Sequence, residues 1–194
     1  MYIPEHFKIT DEKEVLSFLQ ANSFGQLISQ HQEQMFATHL PFLISEDVKH
    51  LKCHLARQNS QWQDIENQDV LIILPGPHEY ISPSWYKNPG VPTWNYQAIH
   101  IYGRCRVFED EGELSEVVDE LTSKHEATLS EPWSPQYKQA MLKAIVGIEI
   151  EITDIQCKYK LSQNRPADDQ QGAIDNLEKL GSKALPEAMR KARL

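Results

Sequence analysis

Along the first third of the chain the apolar positions change period once. Asp11-Glu12-Lys13-Glu14 has the form of a capping box, an acceptor at the cap and a carboxylate three residues on. Val15, Phe18, Leu19 and Asn22 then follow helical spacing, which predicts a helix ending near Ser23. From Phe24 the apolar runs become short: Leu27-Ile28, Met35 to Ile44, Leu51 to Leu55 and Val70 to Leu74, with polar turns at Gln30 to Gln34 and Ser45 to His50. This pattern predicts a meander of antiparallel strands.

A further strand is predicted from Thr93 to Phe108. Ile99, Ile101, Cys105 and Val107 form its inward face. Trp94, Tyr96, His100, Tyr102, Arg104 and Arg106 form the other, and so many aromatics on a second face imply a covering partner subunit or planar ligand. Leu114, Val117, Val118, Leu121 and His125 make a helical stripe, with Glu111 and Glu113 in its first turn. Pro135 is placed to start a short helix through Tyr137, Met141 and Ile145. Ile148, Ile150 and Ile152 alternate with Glu149 and Glu151 as a half-exposed strand. Ile174, Leu177 and Leu180 predict an amphipathic helix in the tail from about 166 to 194, ended by Gly181. With no internal repeat or long linker, a single domain over 1–194 is expected.

Composition narrows the class. A chain of 194 residues with 40% hydrophobic and 24% charged residues is globular rather than disordered. Its net charge of −9 argues against a basic groove for nucleic acid. Cys53, Cys105 and Cys157 are widely spaced and odd in number, as reduced thiols in a cytoplasmic protein are. No secretory signal or bilayer-length apolar stretch is evident, so no membrane partner is expected.

Three segments carry candidate chemistry. At Cys53 to Gln63 a strand end leads into a turn where Ser60 and Gln63 fit a capping pattern. The helix start, the Arg57 guanidinium, His54 and Asn59 together suit an anion such as a phosphate. The competing reading makes Arg57 a solvated turn residue and His54 a partner for backbone carbonyls. At Tyr80 to Tyr86 and Val91 to Tyr96, prolines and aromatics make a stiff loop. Trp and Tyr rings suit a flat heteroaromatic ligand, with Ser82 and Asn95 at its polar edge. A dimer interface uses the same residue types, and the two readings coincide if the ligand lies at the interface. At Lys158 to Arg165, three cations sit beside Ser162, Gln163 and Asn164, either clamping a phosphate or pyrimidine-like edge or forming an exposed turn. Dinucleotide, P-loop and nucleophile-elbow signatures are missing. Strand alternation separates Cys53 from His50 and His54, so no metal site is expected, and no catalytic acid–base pair stands out.

These segments resemble the PaiB family of negative transcriptional regulators, also described as FMN-binding regulators. The carrying residues are Tyr2-Ile3-Pro4, Ala37-Thr38-His39-Leu40-Pro41, His54-Leu55-Ala56-Arg57 with Asn59, Tyr80-Ile81-Ser82-Pro83-Ser84-Trp85-Tyr86, Val91-Pro92-Thr93-Trp94-Asn95-Tyr96, His125-Glu126 and Lys160-Leu161-Ser162-Gln163-Asn164-Arg165. One departure is Ser60, where the family often has proline. The resemblance implies a mainly β protein with flanking helices, a six-stranded antiparallel split β-barrel of the FMN-binding type, working as a homodimer with FMN between subunits. It implies FMN contacts from Thr38, His39, His54, Arg57, Asn59, Ser60, Ser82, Trp85, Trp94, Asn95, Lys160, Ser162, Gln163 and Arg165. Repression of transcription is the implied function, with DNA or a regulatory protein as a further partner. The alternative is a flavin-dependent oxidoreductase of the flavin reductase or pyridoxamine-phosphate oxidase type, in which the flavin supplies the reactivity.

Overall fold

The computed structural model describes residues 1–133 and 139–193, so Pro135 and Tyr137 of the expected short helix lie outside the described residues. The strands are β1 (Lys8–Ile9), β2 (Phe24–His31), β3 (Gln34–Pro41), β4 (Leu43–Ile44), β5 (His50–Ala56), β6 (Asp69–Ile81), β7 (Thr93–Phe108) and β8 (Ile145–Lys160). The helices are α1 (Glu12–Ala21), α2 (Glu111–Glu126), α3 (Ala167–Lys179) and α4 (Ala184–Lys191). The antiparallel class expected from the sequence holds, carried by six long strands with the two-residue β1 and β4 added. None of the described helices is long and apolar enough to cross a membrane.

The strands are not a meander. β2–β3 and β4–β5 are hairpins, but β6 returns to β2, and β5 pairs with β8, giving the order β3-β2-β6-β7-β8-β5-β4. Gly25 shows how β6 is admitted beside β2: a Cβ there would lie 2.2 Å from the Ile73 carbonyl oxygen. Leu27 then pairs with Ile72 and both are fully buried.

The chain falls into two compact units. One comprises residues 19–74 and 100–155. Its main core is made of Leu27, Leu51, Leu55, Ile72, Leu74, Ile101, Val146, Ile148 and Ile150, the alternate positions of β2, β5, β6, β7 and β8. A second cluster joins Leu43, Phe108 and Leu142 to Leu114, Val117 and Leu121 of α2. The Asp110 carboxylate caps that helix, accepting from the Gly112 and Glu113 N–H groups at 3.0 Å. Phe108, not Val107, completes the buried set of β7: the Val107 N–H donates to Glu66 Oε2 (2.6 Å), and the Phe108 ring lies against Gly147.

The other unit comprises residues 1–18, 75–99 and 156–194. Here β1 pairs with β8 through Lys8–Lys158 and Ile9–Cys157. Ile174 and Leu177 of α3 are buried as expected, whereas Leu180 is exposed beyond the helix end. Gly181, at φ +88°, closes α3 as a Schellman motif: its N–H reaches the Glu178 carbonyl and that of Ser182 reaches Leu177. The additional helix α4 carries Pro186 in its first turn, where a missing N–H costs little, and buries Leu185 and Met189.

All three cysteines are free and buried. Burial pushes Cys105 and Cys157 up to about 12 and Cys53 well above the ordinary thiol range. The thiolate population at neutral pH is therefore lower than that of a free thiol by on the order of a thousandfold. Titration with a thiol-reactive disulfide at pH 8 is expected to label essentially none in the folded chain and all after denaturation. Rapid labelling of the native protein would contradict this environment.

Candidate functional site

In the first unit, the turn after β5 runs into a single 3-10 turn, Ser60–Gln63. Its cap is Asn59 rather than Ser60: Asn59 Oδ1 accepts from the Gln61 N–H at 3.0 Å, and the turn is too short for the Ser60–Gln63 capping pattern. Asn59 Nδ2 donates to Thr38 Oγ1 (2.9 Å), and Thr38 Oγ1 donates to Gln61 Oε1 (2.6 Å). Gln61 Nε2 continues to the Leu27 carbonyl (3.1 Å) and Ser29 Oγ (2.9 Å). Thr38 and Asn59 are thus brought together around Gln61, which is 0% exposed, and Ser60 follows Asn59 as the first residue of the turn. Gln61 was missed because nothing in its sequence context separates it from the polar residues of the turn. His39, next along β3, is exposed on the opposite face, its ring 6.5 Å from that of Phe24.

Arg57 and His54 belong to a different set of contacts. The Arg57 guanidinium donates through Nε to the Lys143 carbonyl (2.8 Å), through one terminal nitrogen to the Ile145 carbonyl (3.1 Å), and through the other to Glu109 Oε2 (2.6 Å). It also lies 5.8 Å from the Trp62 ring centroid. His54 pairs across the sheet with Gly147, against which Phe108 packs. Its Nδ1 is buried with no hydrogen-bond partner among the described residues, and burial lowers its pKa, holding the ring neutral. Arg57 thus touches the 3-10 turn through Trp62, whose Nε1 donates to the Arg57 carbonyl, while the Thr38, Asn59 and Gln61 side chains bond among themselves.

In the second unit, Tyr80 and Ile81 end β6, so the proline-rich loop begins at Ser82. Ser82 caps the 3-10 turn Pro83–Trp85, accepting from the Ser84 N–H at 3.2 Å. Trp85 is half-buried, and its carbonyl faces Gly172 of α3. Trp94 is 54% exposed and stands with Tyr80 (ring centroids 6.2 Å apart) and His78 (6.5 Å) in one aromatic group. Asn95 is buried, donating to Ser162 Oγ (2.9 Å) and Met189 Sδ (3.6 Å).

Lys158 to Lys160 is the last part of β8, not a turn; only the segment from Leu161 onward leaves the strand, with Ser162 at φ 69°. Lys160 Nζ donates to Thr93 Oγ1 and to the Trp94 carbonyl (2.8 Å). Gln163 bonds within its own turn, to the Tyr159 carbonyl (2.6 Å) and the Leu161 N–H (2.7 Å). Arg165 lies 4.4 Å from the Tyr86 ring centroid and donates to the Pro89 carbonyl (3.1 Å) and Asp169 Oδ2 (2.5 Å). Asp169 Oδ1 also accepts from the Lys87 N–H (2.9 Å), the Asn88 N–H (3.1 Å) and Asn88 Nδ2 (3.1 Å). Burial pushes the Asp169 pKa up, but these donors outweigh it and hold it below the ordinary value.

The groups on offer are exposed flat rings, neutral hydrogen-bonding side chains and cations held by backbone carbonyls. Among the described residues no group of three His, Cys, Asp or Glu is arranged to hold a metal ion.

Known proteins resemble the chain along most of its length. Residues 1–154 match the family described as "Putative FMN-binding domain". The chain is 43% identical over 186 residues to "Protease synthase and sporulation protein PAI 2" of Bacillus subtilis (strain 168), covering 92% of this chain and 89% of that protein. Among solved structures, the flavocytochrome Anf3 of Azotobacter vinelandii superposes with a TM-score of 0.65 at 16% identity, covering 81% of this chain and 72% of that one. An FAD and heme binding protein of Mycobacterium smegmatis gives 0.62 at 13% identity, with 86% and 79% covered. At such identities these two structures speak to the fold alone, which is that of the split-barrel flavoproteins.

Proposed function

Because the chain belongs to the FMN-binding domain family and is PaiB-like along 92% of its length, we propose that it is an FMN-binding, dimeric negative regulator of transcription. The observation that carries the reading at the level of side chains is the solvent-facing aromatic group of Trp94, Tyr80 and His78. Exposed flat rings leave apolar surface in water unless a planar ligand or a second subunit covers them.

Taken by itself, the unit of residues 19–74 and 100–155 carries residues that suit a phosphate such as that of FMN. Two carbonyls hold the Arg57 fork in place, while its third contact, with Glu109, is a half-exposed ion pair of the kind worth only about 0–1 kcal/mol. That edge is open to exchange for a phosphate, with Thr38, Asn59 and Ser60 as neutral donors and acceptors for the rest of the cofactor. When bound, FMN supplies the redox chemistry, and the chain binds and orients it. With a net charge of −9 the protein reaches DNA through a partner rather than a basic groove of its own.

Titrating FMN into purified protein is expected to give saturable quenching of flavin fluorescence. Arg57→Ala is expected to weaken binding about tenfold or more, the scale of a lost charge-assisted hydrogen bond. An absence of saturable quenching would remove the cofactor reading. Gel shifts at low salt, with the protein alone and with cell extract, separate direct DNA contact from contact through a partner.

A further inference from the structure

We infer that Glu109 is a built-in competitor for the phosphate edge of Arg57, setting FMN affinity low enough for occupancy to follow the free FMN concentration. The inference rests on the reading of Arg57 as the phosphate donor.

The Arg57 side chain is immobilised before any ligand arrives. Its backbone N–H donates to the Ala144 carbonyl (2.7 Å), its carbonyl accepts from Trp62 Nε1 (2.8 Å), and its Nε and one terminal nitrogen are held by Lys143 and Ile145. A guanidinium so fixed presents its remaining edge in one direction, and Glu109 Oε2 occupies that edge at 2.6 Å. The Arg57 and Glu109 side chains are 36% and 53% exposed, so an anion from solution has access to both partners.

The nearby carboxylates are engaged elsewhere. Asp110 caps α2, and Glu113 accepts from Arg106 at 3.1 Å. Glu109 follows directly on β7, which holds it at the Arg57 edge through the strand end rather than through a mobile loop. An incoming phosphate monoester has to displace this carboxylate, while riboflavin, which has no phosphate, does not. Glu109 therefore attenuates FMN binding selectively and leaves riboflavin binding untouched. For a regulator the consequence is a cofactor acting as a signal, loaded and released with supply.

The test is a double-mutant cycle of the full-length wild type, Glu109→Gln, Arg57→Ala and the double variant, each titrated with FMN and with riboflavin at fixed low salt. Glu109→Gln is expected to tighten FMN about three- to fivefold, the scale of an exposed ion pair, with riboflavin unchanged. The gain is expected to vanish in the Arg57→Ala background, and inorganic phosphate to compete with FMN more effectively in Glu109→Gln than in wild type. If Arg57→Ala weakens FMN but Glu109→Gln leaves it unchanged or weaker, the competitor is refuted while Arg57 keeps its role. If FMN binds and Arg57→Ala has no effect, the phosphate lies elsewhere and both statements fall. Equal tightening of FMN and riboflavin would point to a change in packing and would also overturn the inference.

Discussion

Replacing Gln61 with leucine is expected to lower the stability of the folded chain by about 3 kcal/mol, and FMN affinity with it. The substitution keeps a similar volume but removes every polar contact of a side chain with no solvent exposure. Thr38 Oγ1 loses its acceptor, and the Leu27 carbonyl and Ser29 Oγ lose their donor. Ser29 and the Leu27 carbonyl lie in the interior, where an unpaired polar group costs about 1–3 kcal/mol, whereas half-buried Thr38 keeps its bond from Asn59. Gln61→Glu is the informative companion: it keeps the acceptor for Thr38 but not the donors to Leu27 and Ser29. Urea denaturation monitored by tryptophan fluorescence measures the loss, and an unmoved midpoint for Gln61→Leu would show the network to be dispensable. FMN affinity, measured where the variant is still folded, asks a separate question. Were stability to fall with affinity intact, Gln61 would be holding the fold without holding Thr38 and Asn59 for a ligand.

Gly172→Ala is expected to cost about 2 kcal/mol, although alanine favours the helix by about 1 kcal/mol. A Cβ at this position would lie 2.1 Å from the Trp85 carbonyl oxygen, so the obstacle is backbone rather than a side chain that can turn aside. Relief requires α3 and the 82–92 loop to part, which pulls on the Asp169 contacts with Lys87 and Asn88 one turn earlier. Thermal denaturation gives the magnitude, and amide exchange at Lys87 and Asn88 gives the location. A normal midpoint with unchanged protection would mean that the loop yields freely.

The same anchor has a defined pH dependence. Because the folded-state pKa of Asp169 is lowered, its contribution is complete above the ordinary carboxylate pKa and is lost as pH falls through the lowered value. The amide resonances of Lys87 and Asn88 are accordingly expected to hold steady from neutrality down to about pH 5 and to move only at more acidic pH. Movement between pH 7 and 6 would contradict a carboxylate held low.

What could be read from the sequence was whatever one segment determines for itself. The Asp11 cap of α1, the limits of β7 and the stripe of α2 depend on local spacing; all three appear, except that His125 at the end of the α2 stripe is exposed. The partner of β6 depends on a close approach at Gly25, which no periodicity reports. At Lys158 to Arg165 the sequence leaves a clamp and an exposed turn open, and Lys158 to Lys160 prove to be strand. In the fold the ammonium groups of Lys158 and Lys160 find carbonyls, and Lys158 also lies near the rings of Tyr2 and Tyr96, 5.6 and 5.3 Å from the centroids. The candidate site divides along the same line. The types Arg57, Asn59 and Thr38 announce polar recognition, but which of them share a hydrogen-bond network is decided by Gln61 and by carbonyls nearly ninety residues away.

The β2–β3 turn places Gln32 and Glu33 at φ 48° and 64°, a left-handed pair that ordinarily calls for asparagine and glycine. Its compensation comes from outside the hairpin: Asp64 accepts from the Gln32 N–H (3.2 Å) and holds His31 Nδ1 at 2.7 Å. The strained turn of a local hairpin is thus tied down by a residue more than thirty positions downstream, so a two-residue reversal of the chain depends on a long-range contact.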